Sequence, residues 1–125
     1  MIYGIGTDFV EVPRIEKILQ KWGEKFTGKV YSKGEIDYCH KKAFPAMHFA
    51  ARFAVKESFL KSLGIGLGMG VKLRDIEVIN NLQGKPMLKI NERIEGIIDK
   101  FGITAIHISI THTKEHAHAI VVIEK

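Results

Sequence analysis

The sequence predicts an α+β fold, a largely antiparallel sheet with helices packed on it. Three observations lead there. Ala46 to Leu63 runs without an internal Pro or Gly between Pro45 and Gly64, long enough for a substantial helix. Met1 to Phe9, Thr104 to Thr111 and Ala117 to Glu124 are β-rich runs. The last two flank a short turn around Thr113-Lys114-Glu115, and a connection that short makes its strands antiparallel neighbours.

Each element has its own signal. Met1 to Phe9 reads as a strand in which Gly4 and Gly6 allow close packing, with Asp8 at its mouth. Position alone makes Asp8 a turn or helix-entry aspartate. Pro13 to Trp22 reads as an amphipathic helix: Pro13 fits its first turn, Ile15, Ile18, Leu19 and Trp22 form the apolar stripe, and Gly23 stops it. Arg14, Lys17 and Lys21 line up beside that stripe, either as a solvated face or as a dock for an acidic helix. Ser32 followed by Glu35 resembles a capping box, so a short helix is predicted over Lys33 to Lys42.

The long helix carries the charge of interest. At about 100° per residue, Ala50, Phe53, Ala54 and Leu60 surround Glu57, while Arg52, Lys56 and Leu63 point elsewhere. A carboxylate in an apolar stripe needs a partner. One reading is an ion pair with Lys61, four residues on. The other is a metal ion with a phosphate beyond it, served by Lys61. Gly64 to Gly70 then alternates glycine with larger residues. Its backbone can approach a ligand closely, but no Gly-Lys-Ser/Thr follows and it leaves a helix instead of entering one.

Asp75 to Asn80 and Met87 to Ile90 read as a strand pair around Asn81-Leu82-Gln83-Gly84-Lys85-Pro86. Asn91 can cap a helix that buries Ile94, Ile97, Ile98 and Phe101 and stops at Gly102. His107, His112, His116 and His118 crowd the final hairpin, yet no spacing there matches a helical His motif and no Cys assists, which disfavours zinc. His112 with Thr113, at a strand end, could hydrogen-bond a ligand phosphate.

Composition bounds the class. The 125 residues suffice for one domain, 1–125, with a real core. Hydrophobic residues make up 46% and charged ones 26%, the balance of a soluble globular chain. No apolar run approaches the roughly 20 residues of a membrane span, so no membrane partner is expected. The first residues carry no leader, which makes the cytoplasm the expected location. A single cysteine, Cys39, excludes an internal disulfide. A net charge of +5 points to an anionic partner, and phosphorylated ligands, an acidic protein and nucleic acid all qualify. A nucleic-acid module would need aromatics interleaved with basic residues on an exposed sheet, whereas most Phe residues here lie in helical patterns, so no nucleic-acid partner is expected.

Taken together, four motifs resemble those of the holo-acyl-carrier-protein synthases, the small 4′-phosphopantetheinyl transferases of fatty-acid synthesis. They are Gly4-Ile5-Gly6-Thr7-Asp8 leading to Arg14-Ile15; Arg52-Phe53-Ala54-Val55-Lys56-Glu57-Ser58-Phe59 with Lys61 and Gly64; Gly84-Lys85-Pro86; and Ile108-Ser109-Ile110-Thr111-His112-Thr113. They span nearly the whole chain. Thr7, Val55, Ser58 and Ile65 depart from the usual residues, but no expected metal or phosphate residue is lost.

The resemblance implies the 4′-phosphopantetheinyl transferase fold and transfer of 4′-phosphopantetheine from coenzyme A to a serine of apo-acyl carrier protein, with release of 3′,5′-ADP. It implies Asp8 and Glu57 as ligands of a Mg²⁺ that bridges to the CoA pyrophosphate, with Lys61 holding a pyrophosphate oxygen. It implies Arg52, Gly64, Pro86, His112 and Thr113 as CoA-binding residues. Glu57 or a metal-bound water would accept the serine proton. The carrier protein, small and acidic, would dock on Arg14, Lys17 and Lys21. The family also implies a homotrimer with its sites between subunits.

Overall fold

The three-stranded sheet is ordered around the last strand of the chain. In the computed structural model, which describes residues 1–66 and 70–125, β1 (Ile2–Glu11) and β4 (Ala105–His112) both pair antiparallel with the central β5 (His116–Glu124). A second, two-stranded antiparallel sheet joins β2 (Val78–Asn80) to β3 (Pro86–Leu88). Among the described residues, α1 (Val12–Trp22), α2 (Glu24–Val30), α3 (Lys33–His40) and α4 (Pro45–Leu63) lie between β1 and β2, and α5 (Glu92–Phe101) follows β3. The predicted α+β architecture holds.

Strand alternation sorts the sheet into two faces. Ala117, Ala119, Val121 and Ile123 of β5 are buried beneath α4, and their partners on β1 are Val10, Asp8, Gly6 and Gly4. The opposite face is open, with Ile5, Phe9 and Ile120 exposed. α4 lies directly on the inner face. A Cβ built on Gly4 would stand 1.9 Å from the Ser62 carbonyl oxygen, and one on Gly6 would stand 1.8 Å from that of Ser58. Only glycine permits this backbone contact between strand and helix.

α4 ends as expected at Gly64, in the left-handed conformation (φ 72°). It is not amphipathic, however. Its apolar residues are buried on nearly every side, and Arg52 and Lys56 are buried with them. Between the sheet, α1 and α3, a central helix has little solvent to face.

Several boundaries depart from expectation. β1 continues three residues past Asp8, because its pairing with β5 runs on to Glu11 opposite His116; Asp8 therefore sits inside the strand. Trp22 is half exposed, so the buried stripe of α1 is shorter than predicted. α2 was not anticipated: its Thr27, Gly28 and Val30 are poor helix formers, and burial of Thr27 and Val30 holds it in place. α3 has the predicted capping box but stops at His40. The predicted strand from Asp75 begins later, because Leu73–Asp75 forms a 3₁₀ turn in which the Asp75 carboxylate accepts from the Lys72 N–H at 3.1 Å. Asn91 caps α5 as expected, accepting from the Ile94 N–H at 3.0 Å.

Candidate active site

The contact between β1 and α4 also sets the chemistry. Asp8 shares the inward register of Gly4 and Gly6, so it emerges beside the last turns of α4. There the Lys61 ammonium lies 3.2 Å from Asp8 Oδ1 and donates to the Thr7 carbonyl at 3.0 Å. Among the described residues, Lys61 makes its ion pair across elements with Asp8 and not along the helix with Glu57. Glu57 is near enough to feel both groups. Its carboxyl is raised above the ordinary range, first by burial and then by the Asp8 charge, against the pull of Lys61. Two carboxylates that repel each other thus stand beside one lysine. No group of three or more His, Cys, Asp or Glu that could hold a metal gathers among the described residues, so a metal here would take its remaining ligands from water or from a bound substrate.

Beside Asp8 opens a cleft of about 330 Å³ between the end of β1 and α1, with Phe53, Phe26 and Ile15 on its walls and Arg14 among its lining residues. Arg14, Lys17 and Lys21 are all exposed. Lys21 lies 5.2 Å from the centre of the Trp22 ring.

Arg52 and His112 belong to a second cluster. Arg52 is buried; its Nη2 donates to Asn80 Oδ1 at 2.9 Å, while its Nε has no partner among the described residues. Its guanidinium packs 4.0 Å from the Tyr38 ring centre, and the Lys42 ammonium lies 4.6 Å from the same ring. His48, one turn before Arg52, has its ring 5.5 Å from that of His112. Asn80 pairs with Pro86 across the β2–β3 ladder and donates to the Gly84 carbonyl at 3.0 Å, which ties Pro86 to Arg52. Thr113 spends its hydroxyl on the hairpin turn, where it accepts from the N–H groups of Glu115 and His116. Gly64 closes α4 one turn after Lys61. The rest of the glycine-alternating stretch passes through residues 67–69, outside the described residues.

No hydrogen bond or ion pair joins the two clusters among the described residues. Arg52 and Glu57 are five residues apart on α4, about 140° around the helix.

Sequence reasoning missed a third feature. Lys56, between Arg52 and Glu57, is fully buried and lies 2.7 Å from the equally buried Glu35 of α3. Its other two donors reach the carbonyls of Leu73 (2.9 Å) and Ile76 (2.5 Å). Glu35 also accepts from the N–H groups of Ser32 (2.9 Å) and Val78 (3.0 Å). One ion pair thus ties α3, α4, the 3₁₀ turn and β2 together, and all three ammonium protons are satisfied. The Ser32–Glu35 signal marked a cap but not its second partner. Tyr38, Lys42, His48 and Asn80 also carried no signal in the sequence.

A strand carboxylate and a helix carboxylate thus flank one lysine on this α+β frame. The sequence pattern of the 4′-phosphopantetheinyl transferase superfamily matches residues 4–121, and the chain belongs to that family. Its full-length relatives include holo-[acyl-carrier-protein] synthases. It is 52% identical over 124 residues to the one from Syntrophus aciditrophicus, covering 99% of this chain and 97% of that one. The crystal structure of the Neisseria meningitidis synthase superposes with a TM-score of 0.92 at 33% identity, over 100% of both chains. The Bacillus anthracis synthase, crystallised in complex with CoA (3′,5′-ADP), superposes with a TM-score of 0.81 at 36% identity, over 100% of this chain and 98% of that one.

Proposed function

We propose that residues 1–125 form one transferase domain that moves 4′-phosphopantetheine from coenzyme A to a serine of apo-acyl carrier protein, with release of 3′,5′-ADP. The observation that carries this reading is the convergence of Asp8, Glu57 and Lys61 where glycine lets β1 touch α4, in a chain that matches holo-[acyl-carrier-protein] synthases end to end.

Mg²⁺ fits the donor set of Asp8 and Glu57: two hard oxygen ligands, with the remaining positions left to water and diphosphate oxygens. Bound there, it supplies charge neutralisation for the diphosphate. Lys61 holds a diphosphate oxygen from the same side. Arg52 and His112, with Pro86 shaping the adenine end and Thr113 at the hairpin, hold the nucleotide end and its 3′-phosphate. Gly64 lets the backbone approach the ligand. The cleft beside Asp8 leads towards Arg14, so the carrier serine reaches the carboxylates from that side while its acidic surface rests on Arg14, Lys17 and Lys21. Its proton passes to Glu57 or to a water between the carboxylates. Positioning and charge neutralisation supply the rate, as phosphoryl transfer requires.

We further propose a homotrimer. The exposed Ile5, Phe9 and Ile120 on the outer sheet face support it. So does the separation of the two clusters around α4: a coenzyme A lying between subunits could meet the carboxylates of one and the Arg52–His112 cluster of the next. No helix of the described residues is long and apolar enough to cross a membrane. We place the protein in the cytoplasm, serving fatty-acid synthesis.

The test is mass spectrometry of apo-acyl carrier protein incubated with the protein, CoA and Mg²⁺. A gain of one phosphopantetheine, absent with EDTA, is expected. No gain on a carrier known to be competent would overturn the reading.

A further inference from the structure

His48 lies in a one-signed electrostatic setting. On its own helix, Arg52 stands one turn away, buried and with Nε unpartnered. From β4, the His112 ring faces it at 5.5 Å. From α3, Tyr38 packs edge-on at 6.0 Å, and Lys42, just beyond α3, leans over the same Tyr38 ring. Asn80 of β2 accepts from Arg52 Nη2 at 2.9 Å. No carboxylate is among these groups. The imidazole of His48 is held below its ordinary range, first by burial and then by His112, Lys42 and Arg52, all of which push the same way. A half-buried base that stacks edge-on against His112 and Tyr38, close enough to Lys42 and Arg52 to feel their charge, with a spare donor on Arg52, is arranged for a multiply charged anion.

We propose that His48 is a further ligand of the 3′-phosphate and that it binds as the imidazolium, so the protein takes up a proton at His48 when the nucleotide docks. This rests on the reading that Arg52 and His112 hold that phosphate. Without the anion, burial and then its neighbours His112, Lys42 and Arg52 disfavour the charged form of His48. A phosphate monoester brings close to two negative charges at neutral pH, which reverses the local field and favours N–H⁺ on His48. The proton comes from solvent and returns when the nucleotide leaves. Between the free and bound titration midpoints, affinity for 3′-phosphorylated ligands therefore rises as pH falls, while ligands lacking that phosphate show no such rise. His48 thus makes discrimination for the 3′-phosphate sensitive to pH.

NMR titration of the His48 imidazole, assigned by loss of its signal in His48→Gln, tests this with 3′,5′-ADP and with 5′-AMP as probes. The expected result is a midpoint that moves up by at least about one pH unit with 3′,5′-ADP and stays put with 5′-AMP. Correspondingly, His48→Gln should lose the rise in 3′,5′-ADP affinity that the unmodified protein shows as pH falls, a deficit that grows toward about tenfold below the free midpoint, since a midpoint displaced by about one pH unit corresponds to a tenfold change in affinity, and that vanishes at pH 8. A midpoint that does not move while 3′,5′-ADP binds, or that moves equally with 5′-AMP, overturns the proposal. His112→Gln separates the two readings. If it leaves 3′,5′-ADP affinity unchanged, the Arg52–His112 assignment falls, and the His48 proposal with it. If it weakens binding while the His48 midpoint stays fixed, only the His48 proposal falls.

Discussion

The Lys56 ammonium lies 2.7 Å from the Glu35 carboxylate, both fully buried, one residue before the glutamate proposed to hold the metal. This pair reaches α4 from behind and fixes the phase of the helix. Lys56→Met leaves the Glu35 charge buried and unpartnered. The expected loss is about 3–5 kcal/mol of folding stability, read from the urea midpoint. Lys56→Met with Glu35→Leu should recover much of it, since an apolar pair of similar volume replaces a buried ion pair well. A double variant no more stable than the single would show that the pair acts through more than its charges.

Gly6 makes a second, sharper prediction. Gly6→Ala places a methyl 1.8 Å from the Ser58 carbonyl oxygen, with backbone on both sides of the clash. Stability should fall by at least about 1–3 kcal/mol, the range for overpacking. Transfer activity should fall further than the folded fraction, because the shift separates Asp8 from Glu57. Gly28→Ala is the contrast. A Cβ there meets nothing within 4 Å in the middle of α2, so stability should hold or rise by about 0.5–1 kcal/mol.

The carboxylates can be tested by titration as well as by rate. Asp8→Asn and Glu57→Gln should each lower kcat by about 10²–10³-fold, the usual effect of removing one preorganised electrostatic group. In the protein without metal, carboxyl NMR should show Glu57 titrating above the ordinary glutamate range. Asp8→Asn should bring that midpoint down, because the like charge is gone and Lys61 is released from its pair. A midpoint unchanged by Asp8→Asn would mean that the two carboxylates do not share a site.

The basic stripe on α1 should govern encounter with the carrier. Arg14→Glu with Lys17→Glu should raise KM for acyl carrier protein while leaving kcat at saturating carrier nearly intact, and should flatten the salt dependence of kcat/KM. An equal fall in kcat would place these residues at the chemistry instead.

The open sheet face should govern assembly. Phe9→Asp with Ile120→Asp puts charge at the centre of the exposed apolar patch. Analytical ultracentrifugation should then show a species near the single-chain mass of 14.1 kDa in place of a trimer. Activity should drop with it if coenzyme A lies between subunits.

Much of the fold is legible from residue order alone. The long helix, its glycine stop, the capping box, the Asn91 cap and the last hairpin all follow from local rules. Asp8 reads as a strand end because the length of β1 is decided by β5, more than 100 residues away. Lys61 reads naturally as a helix partner of Glu57, since spacing along one helix cannot reveal an aspartate arriving from another element. Lys56 and Glu35 are 21 residues apart with no periodic link between them. Their partnership exists only because buried backbone groups from several elements converge on the same two side chains. α2 escapes a sequence reading because packing, not propensity, makes it helical.

The central place of β5 has a consequence for how the protein is made. The strand that both β1 and β4 need as a neighbour follows every other element in the chain. During synthesis β1 emerges more than 100 residues before β5 and waits over that interval for its partner. Over the same interval α4 has no sheet on which to bury its apolar sides. Sheet assembly is therefore a late event governed by loop closure over the full chain, the slow kind of pairing that long-range topology imposes. Over that interval the nascent chain exposes a strand edge and an apolar helix, the surfaces that chaperones recognise.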